Sequence, residues 1–168
     1  MIVLLNGPLG IGKSTLAEAL VESMEQSVML DGDSLIAANP APDHEIEYLH
    51  STIVLLVQHH RRFGYCRFVI NHIWRSPAEL ADLRHRLADD DDFRCFLLTL
   101  AADENLRRIE RRGRARAVGE HEFELRTNVD ERQMLAALPA GELGEPFDVT
   151  AAPEELVANM LRRLGLHS

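Results

Sequence analysis

Short, nearly continuous apolar runs alternate along this chain with longer stretches in which apolar residues recur every three or four positions. The runs cover residues 1–5, 28–30, 67–73, 93–100 and 147–149, and their length and continuity predict strands buried on both faces. Between the first two, Leu16, Ala17, Leu20, Val21 and Met24 mark one side of a helix over 14–24. Ile46, Leu49, Ile53, Val54 and Val57 do the same within 43–63. Ser76-Pro77-Ala78-Glu79 reads as a capping box with proline at the first helical position, opening a helix that runs to about Leu87. Further helices are predicted over 103–112, over 120–138 with a polar first half, and over 153–164. Asp89 to Asp92 reads as an acidic surface turn, and Gly141 to Pro146 as a loop.

Strands separated by helices throughout imply an α/β fold, with a parallel sheet carrying helices on both faces. Ligands of such folds bind at the carboxyl ends of the strands. The 168 residues are expected to form one domain, 1–168, since no repeat, low-complexity tract or long linker divides them.

Charge narrows the classes of function. A net charge of −9 disfavours a nucleic acid polymer as partner. No charged-then-apolar leader precedes the first strand and no apolar run reaches the length of a membrane span, so the expectation is a cytoplasmic, soluble protein with no membrane partner. Cys66 and Cys95 lie in separate apolar runs without metal spacing and are expected as buried free thiols.

The candidate chemistry starts at the chain's only lysine, Lys13, all 17 other basic residues being arginines. It sits in Gly7-Pro8-Leu9-Gly10-Ile11-Gly12-Lys13-Ser14, a full G-x-x-x-x-G-K-[ST] phosphate loop, between a predicted strand and a predicted helix. An ammonium delivers a compact charge to the β/γ-phosphates where a planar guanidinium fork would fit poorly. The glycines let backbone N–H groups converge on phosphate, and the helix start adds its positive end. Gly7, Leu9, Gly10, Ile11, Gly12, Lys13, Ser14 and Thr15 are therefore the expected nucleotide contacts, and the Ser14 hydroxyl the expected Mg²⁺ ligand.

Two further segments follow strands and should meet the loop at the strand ends. Leu30-Asp31-Gly32-Asp33 supplies carboxylates. Residues 107–116 hold six arginines against Glu110, a local +5 in an acidic chain, which suggests a site for a small polyanion. A donor cradle, carboxylates and a cationic cover are the set that in-line phosphoryl transfer requires.

On these residues the chain resembles the small-kinase branch of phosphate-loop proteins: adenylate, shikimate, gluconate and adenylylsulfate kinases. The resemblance implies a five-stranded parallel sheet in order 2-3-1-4-5, a three-layer α/β/α sandwich and a mobile lid, here at about 112–122. It also implies ATP and Mg²⁺ as cofactors. Asp33-Ser34-Leu35-Ile36, with Pro40 following, looks like the segment after strand two in chloramphenicol phosphotransferase, which implies that Asp33 is the base toward an acceptor hydroxyl. The Leu30–Asp33 string also resembles adenylylsulfate kinase. The first strand and loop and the Arg108–Arg116 region are similar to tunicamycin-resistance proteins, which brings antibiotic modification among the implied activities. Leu106 to Arg112 resembles the start of a nucleotide-kinase lid, implying that Arg108 stacks on adenine and that Arg112 contacts phosphate. The catalytic set is then Lys13, Asp33 and Arg112, with Arg114 and Arg116 closing from beyond Gly113.

One departure stands out: relatives place an aspartate at the end of strand three, where this chain reads Asn71-His72. Metal coordination then rests on Ser14 and on Asp31 or Asp33, and His72 is left between a structural and a substrate role. Tyr48, His50 and Trp74 are the non-aliphatic residues near the acceptor region, Trp74 reading as core. The function expected is an ATP- and Mg-dependent kinase acting on a hydroxyl of a small-molecule acceptor, as a monomer or homodimer. The alternatives are a nucleoside or nucleotide kinase, whose acceptor would require arginines between strands two and three, where Arg61, Arg62 and Arg67 cluster late in the span, and a non-catalytic ATP-binding module.

Overall fold

The computed structural model describes residues 1–87, 92–113 and 118–166. The expected acidic turn at Asp89 to Asp92 falls largely outside them. Strands β1 (Ile2–Asn6), β2 (Ser27–Asp31), β3 (Arg67–Asn71), β4 (Phe93–Thr99) and β5 (Glu145–Asp148) form one parallel sheet in order β2-β3-β1-β4-β5. Helices α1 (Lys13–Glu22), α3 (Glu45–Arg61), α4 (Pro77–Arg86), α5 (Ala102–Gly113), α6 (Val118–Ala136) and α7 (Pro153–Arg163) connect them, so the expected order and class are both realised. A short helix, α2 (Gly32–Leu35), follows β2 directly; no periodicity could announce an element of barely one turn.

The central strand shows why the fold is layered. All five residues of β1 are buried, but they alternate between two cores. Val3 and Leu5 pack with Leu16, Leu20, Phe96 and Met160 under α1 and α7. Ile2 and Leu4 pack with Ile53, Val57, Phe68 and Trp74 under α3 and α4. Each such side chain contributes about 1.5–3 kcal/mol by leaving water. Caps fix the helix starts that the sequence announces. Ser76 Oγ accepts from Glu79 N at 3.3 Å, while the Glu79 carboxylate reaches back one residue further than a capping box requires, to Arg75 N at 2.6 Å.

Trp74 is fully buried, as expected. Cys66 is exposed, against the expectation of a buried thiol, because it lies in the turn before β3 rather than within it. Cys95 is half-buried in β4, and burial pushes its thiol up to about 12. Among the described residues no helix is long and apolar enough to cross a membrane.

Candidate functional site

The loop between β1 and α1 takes the backbone path its glycines allow. Gly10 has φ of 80° and Gly12 of 107°, conformations that cost an L side chain about 1–2 kcal/mol. Gly12 caps α1 without a side chain, so the first-turn N–H groups face the loop's mouth. Gly7 lies against Leu98: a Cβ there would meet the Leu98 carbonyl at 3.4 Å. Lys13 is 8% exposed and folds back over the loop, its Nζ donating to Gly7 O at 2.7 Å and Pro8 O at 3.2 Å. Beside the loop lies a cavity of about 370 Å³ lined by Gly10, Gly12, Thr15, Arg108, Arg111 and Pro153, among others.

The loop is anchored by a residue no motif singled out. Asn6, the last residue of β1, is fully buried. Its Oδ1 accepts from Gly7 N at 2.8 Å and Trp74 N at 3.0 Å, and its Nδ2 donates to Trp74 O at 3.1 Å and Leu143 O at 3.2 Å. The signal was a polar residue closing an otherwise apolar strand. Trp74 in turn donates from Nε1 to His50 Nε2 at 3.2 Å, and His50 Nδ1 lies 2.7 Å from Asp82 Oδ2. His50 is therefore buried structure, while Tyr48, the other acceptor-side candidate, is exposed.

At the ends of β2 and β3, three oxygen-bearing side chains converge. Asp31 Oδ1 caps α2 by accepting from Ser34 N at 2.9 Å. Its Oδ2 accepts from Asn71 Nδ2 at 2.7 Å and from Ser14 Oγ at 3.3 Å, and Asn71 Nδ2 reaches Ser14 Oγ at 3.2 Å. Burial opposes ionisation of Asp31, but the hydrogen bonds from Asn71, Ser34 and Ser14 outweigh it and hold its carboxyl below the ordinary value. Asn71 Oδ1 is buried with no hydrogen-bond partner. A hydroxyl, a carboxylate and an unpartnered carbonyl oxygen suit a hard cation. Mg²⁺ usually takes only one or two carboxylates beside substrate phosphates.

Asp33 stands one residue beyond Gly32, exposed, with Oδ1 2.9 Å from Nδ1 of the buried His72. The His72 hydrogen bond, and behind it the charges of His72 and Lys13, hold the Asp33 carboxyl below its ordinary value against desolvation and the nearby Asp31. The loop lysine and Asp33 thus feel each other across the mouth.

The arginine segment divides. Arg107 pairs with Asp103 at 3.2 Å and Glu104 at 3.4 Å, and Arg108 and Arg111 each with Glu104 at 3.7 Å, so part of the local excess is balanced within α5. Arg108 donates to Val149 O at 3.0 Å and lines the cavity with Arg111. Arg112 lies at the end of α5, its side chain outside those described; Arg114 and Arg116, the middle of the expected lid, lie outside the described residues. Arg61, Arg62 and Arg67 sit at the opposite end of the sheet, Arg61 over the Phe68 ring at 5.8 Å and Arg67 on Glu25 O, away from the loop.

Leu9 is engaged by residues the sequence reading did not single out. Its N–H donates to Glu131 Oε2 at 2.6 Å, and its carbonyl accepts from Asn128 Nδ2 at 2.5 Å and Asn105 Nδ2 at 3.4 Å. The signal was present as Glu124, Asn128 and Glu131 at helical spacing, all buried.

The parallel sheet in order β2-β3-β1-β4-β5 is a fold shared with a gluconokinase and a shikimate kinase of known structure. Residues 2–139 match the family model described as AAA domain, and the chain belongs to that family. Its structure is similar to that of the Deinococcus radiodurans tunicamycin resistance protein, with 18% identity, a TM-score of 0.69 and coverage of 99% of this chain and 96% of that one. A gluconokinase from Sinorhizobium meliloti has 18% identity and a TM-score of 0.68, over 97% and 90% of the two chains. A shikimate kinase from Bacteroides thetaiotaomicron has 14% identity and a TM-score of 0.62, over 99% of each. No curated protein matches the sequence.

Proposed function

We propose that the protein is an ATP- and Mg²⁺-dependent kinase that transfers a phosphoryl group to a hydroxyl of a small molecule. One juxtaposition carries the reading: Lys13 folded over the glycine loop, the Ser14–Asp31–Asn71 oxygen cluster tied to the start of the helix behind it, and Asp33, two residues after Asp31, held by His72. The N–H groups of Gly10 to Thr15 and the Lys13 ammonium bind and orient the phosphate chain. The cavity under Arg108 and Arg111 takes the base, with Arg108 against it. Ser14 and Asp31, with Asn71, hold the metal, which when bound neutralises charge on the phosphates. Asp33, oriented by its hydrogen bond with His72, accepts the proton of the acceptor hydroxyl. Arg112, at the end of α5, completes the proposed catalytic set as a phosphate contact.

The similarity to a gluconokinase and a shikimate kinase supports this reading at the level of fold, and the tunicamycin resistance protein keeps antibiotic modification within it. The nucleotide-acceptor alternative draws less support, since Arg61, Arg62 and Arg67 lie at the far end of the sheet from the loop. The test is nucleoside-diphosphate release from Mg–ATP across sugar acids, shikimate, nucleosides, nucleoside monophosphates and hydroxylated antibiotics, with Lys13→Ala as blank. An acceptor that stimulates release only with intact Lys13 supports the kinase. Tight ATP binding with no stimulation by any acceptor favours the non-catalytic module.

A further inference from the structure

Both helices that flank residues 114–117 close on the peptide of Leu9. Asn105 of α5 and Asn128 of α6 donate to its carbonyl, and Glu131 of α6 accepts from its N–H. Helix α6 is inverted to make this contact. Glu124, Asn128 and Glu131 are buried, while Phe123 and Val129 of the same helix are exposed. A buried carboxylate is costly without partners, and Glu131 has two: the Leu9 N–H and, at 4.0 Å, the Arg75 guanidinium. Asn105 Oδ1 and Asn128 Oδ1 are buried without partners. The surroundings of Leu9 are thus rich in acceptor oxygens.

Lys13 indicates which end of a nucleotide would face Leu9. The lysine of this motif reaches the β/γ-phosphates, and here its Nζ rests on the carbonyls of Gly7 and Pro8, immediately before Leu9. The Gly7 N–H is committed to Asn6 Oδ1, and Pro8 has none. Leu9 N–H is therefore the first loop donor beyond the two carbonyls on which Lys13 Nζ rests, and a carboxylate already holds it. A γ-phosphate arriving there meets a like charge in a poorly solvated place, where repulsion is weakly screened.

Building on the nucleotide-binding reading, we propose that Glu131 is a specificity-determining residue for the terminal phosphate. It keeps the Leu9 N–H when the bound nucleotide is a diphosphate and is displaced by a triphosphate, so that the γ-phosphate releases α6 from the loop. The loop itself then signals to helices α5 and α6 which nucleotide is present.

Calorimetric titration of wild type, Glu131→Gln and Asn128→Ser with Mg–ADP and with the non-hydrolysable imidotriphosphate Mg–AMPPNP tests this. Glu131→Gln keeps a side chain of the same shape and removes the charge. It should tighten AMPPNP about tenfold relative to ADP, while Asn128→Ser, which loosens the grip without changing charge, alters both alike. In wild type, AMPPNP but not ADP should speed amide hydrogen exchange over residues 122–136. Equal effects of Glu131→Gln on the two ligands, a selective effect of Asn128→Ser as large as that of Glu131→Gln, or identical exchange with both ligands overturns the proposal while leaving nucleotide binding intact. Failure of wild type to bind either nucleotide overturns the binding reading as well.

Discussion

Asp33 Oδ1 and His72 Nδ1 lie 2.9 Å apart, the carboxylate exposed at the mouth of the loop and the imidazole 4% exposed beneath it. The pairing answers a question that the Asn71-His72 sequence left open. His72 meets the Trp74 ring edge-on at 5.6 Å and holds one oxygen of Asp33. In the proposed mechanism the exposed carboxylate faces the acceptor, and the buried histidine holds it in place.

Asp33→Asn keeps the size of the side chain and removes its basicity. Transfer to the acceptor should fall by about 10²–10⁴-fold, the usual range for a lost general base, while Mg–ATP affinity stays nearly unchanged. Steady-state turnover and calorimetry on the same preparation check both halves, and unchanged turnover would remove Asp33 from the mechanism.

Lys13→Arg tests why the one lysine lies where it does. The ammonium fits between two carbonyls, at 2.7 and 3.2 Å, with 8% of the residue exposed. A guanidinium is too wide for that seat. Nucleotide affinity should drop by about tenfold or more in Lys13→Arg as in Lys13→Ala, as expected when a charge-assisted contact is lost; wild-type affinity in the arginine variant would contradict the seat.

Gly32→Ala probes the closeness of α2 to His72. A Cβ at Gly32 would lie 2.7 Å from His72 Cβ and 2.8 Å from its Cγ and Nδ1, so the two segments must part. The expected cost is about 1–3 kcal/mol by overpacking, read as a shift in urea midpoint. Transfer activity should fall with it, because the displacement moves Asp33 off His72.

Asp82 carries a pH prediction. Hydrogen bonds from His50 and Arg86 hold its carboxyl below the ordinary value. A carboxyl lowered by folding stabilises above its unfolded pKa, and that contribution disappears as pH falls through the folded value. Asp82→Asn should therefore be less stable than wild type at neutral pH, with the gap closing below about pH 4. Denaturant melts at a series of pH values from 7 downward measure it, and a gap that does not narrow at all below about pH 4 would trace the effect to packing.

Much of this protein could be read from its residues in order. Apolar runs gave the strands, three-to-four spacing gave the long helices, and a proline-bearing cap gave the start of α4, because these signals depend on neighbours within one element. The loop from Gly7 to Ser14 was equally legible, since its conformation depends on its own glycines and on the helix start behind it. Tertiary structure decided what depends on partners far apart in the chain. Asn6 meets Leu143 only because β1 lies at the centre of the sheet, and Asp31 meets Asn71 only because β2 pairs with β3 in register. Helix α6 buries Asn128 and Glu131 because they meet Leu9, more than a hundred residues earlier. Sequence patterns record the faces of elements, whereas a hydrogen bond between elements exists only once packing has brought its two ends within about 3 Å.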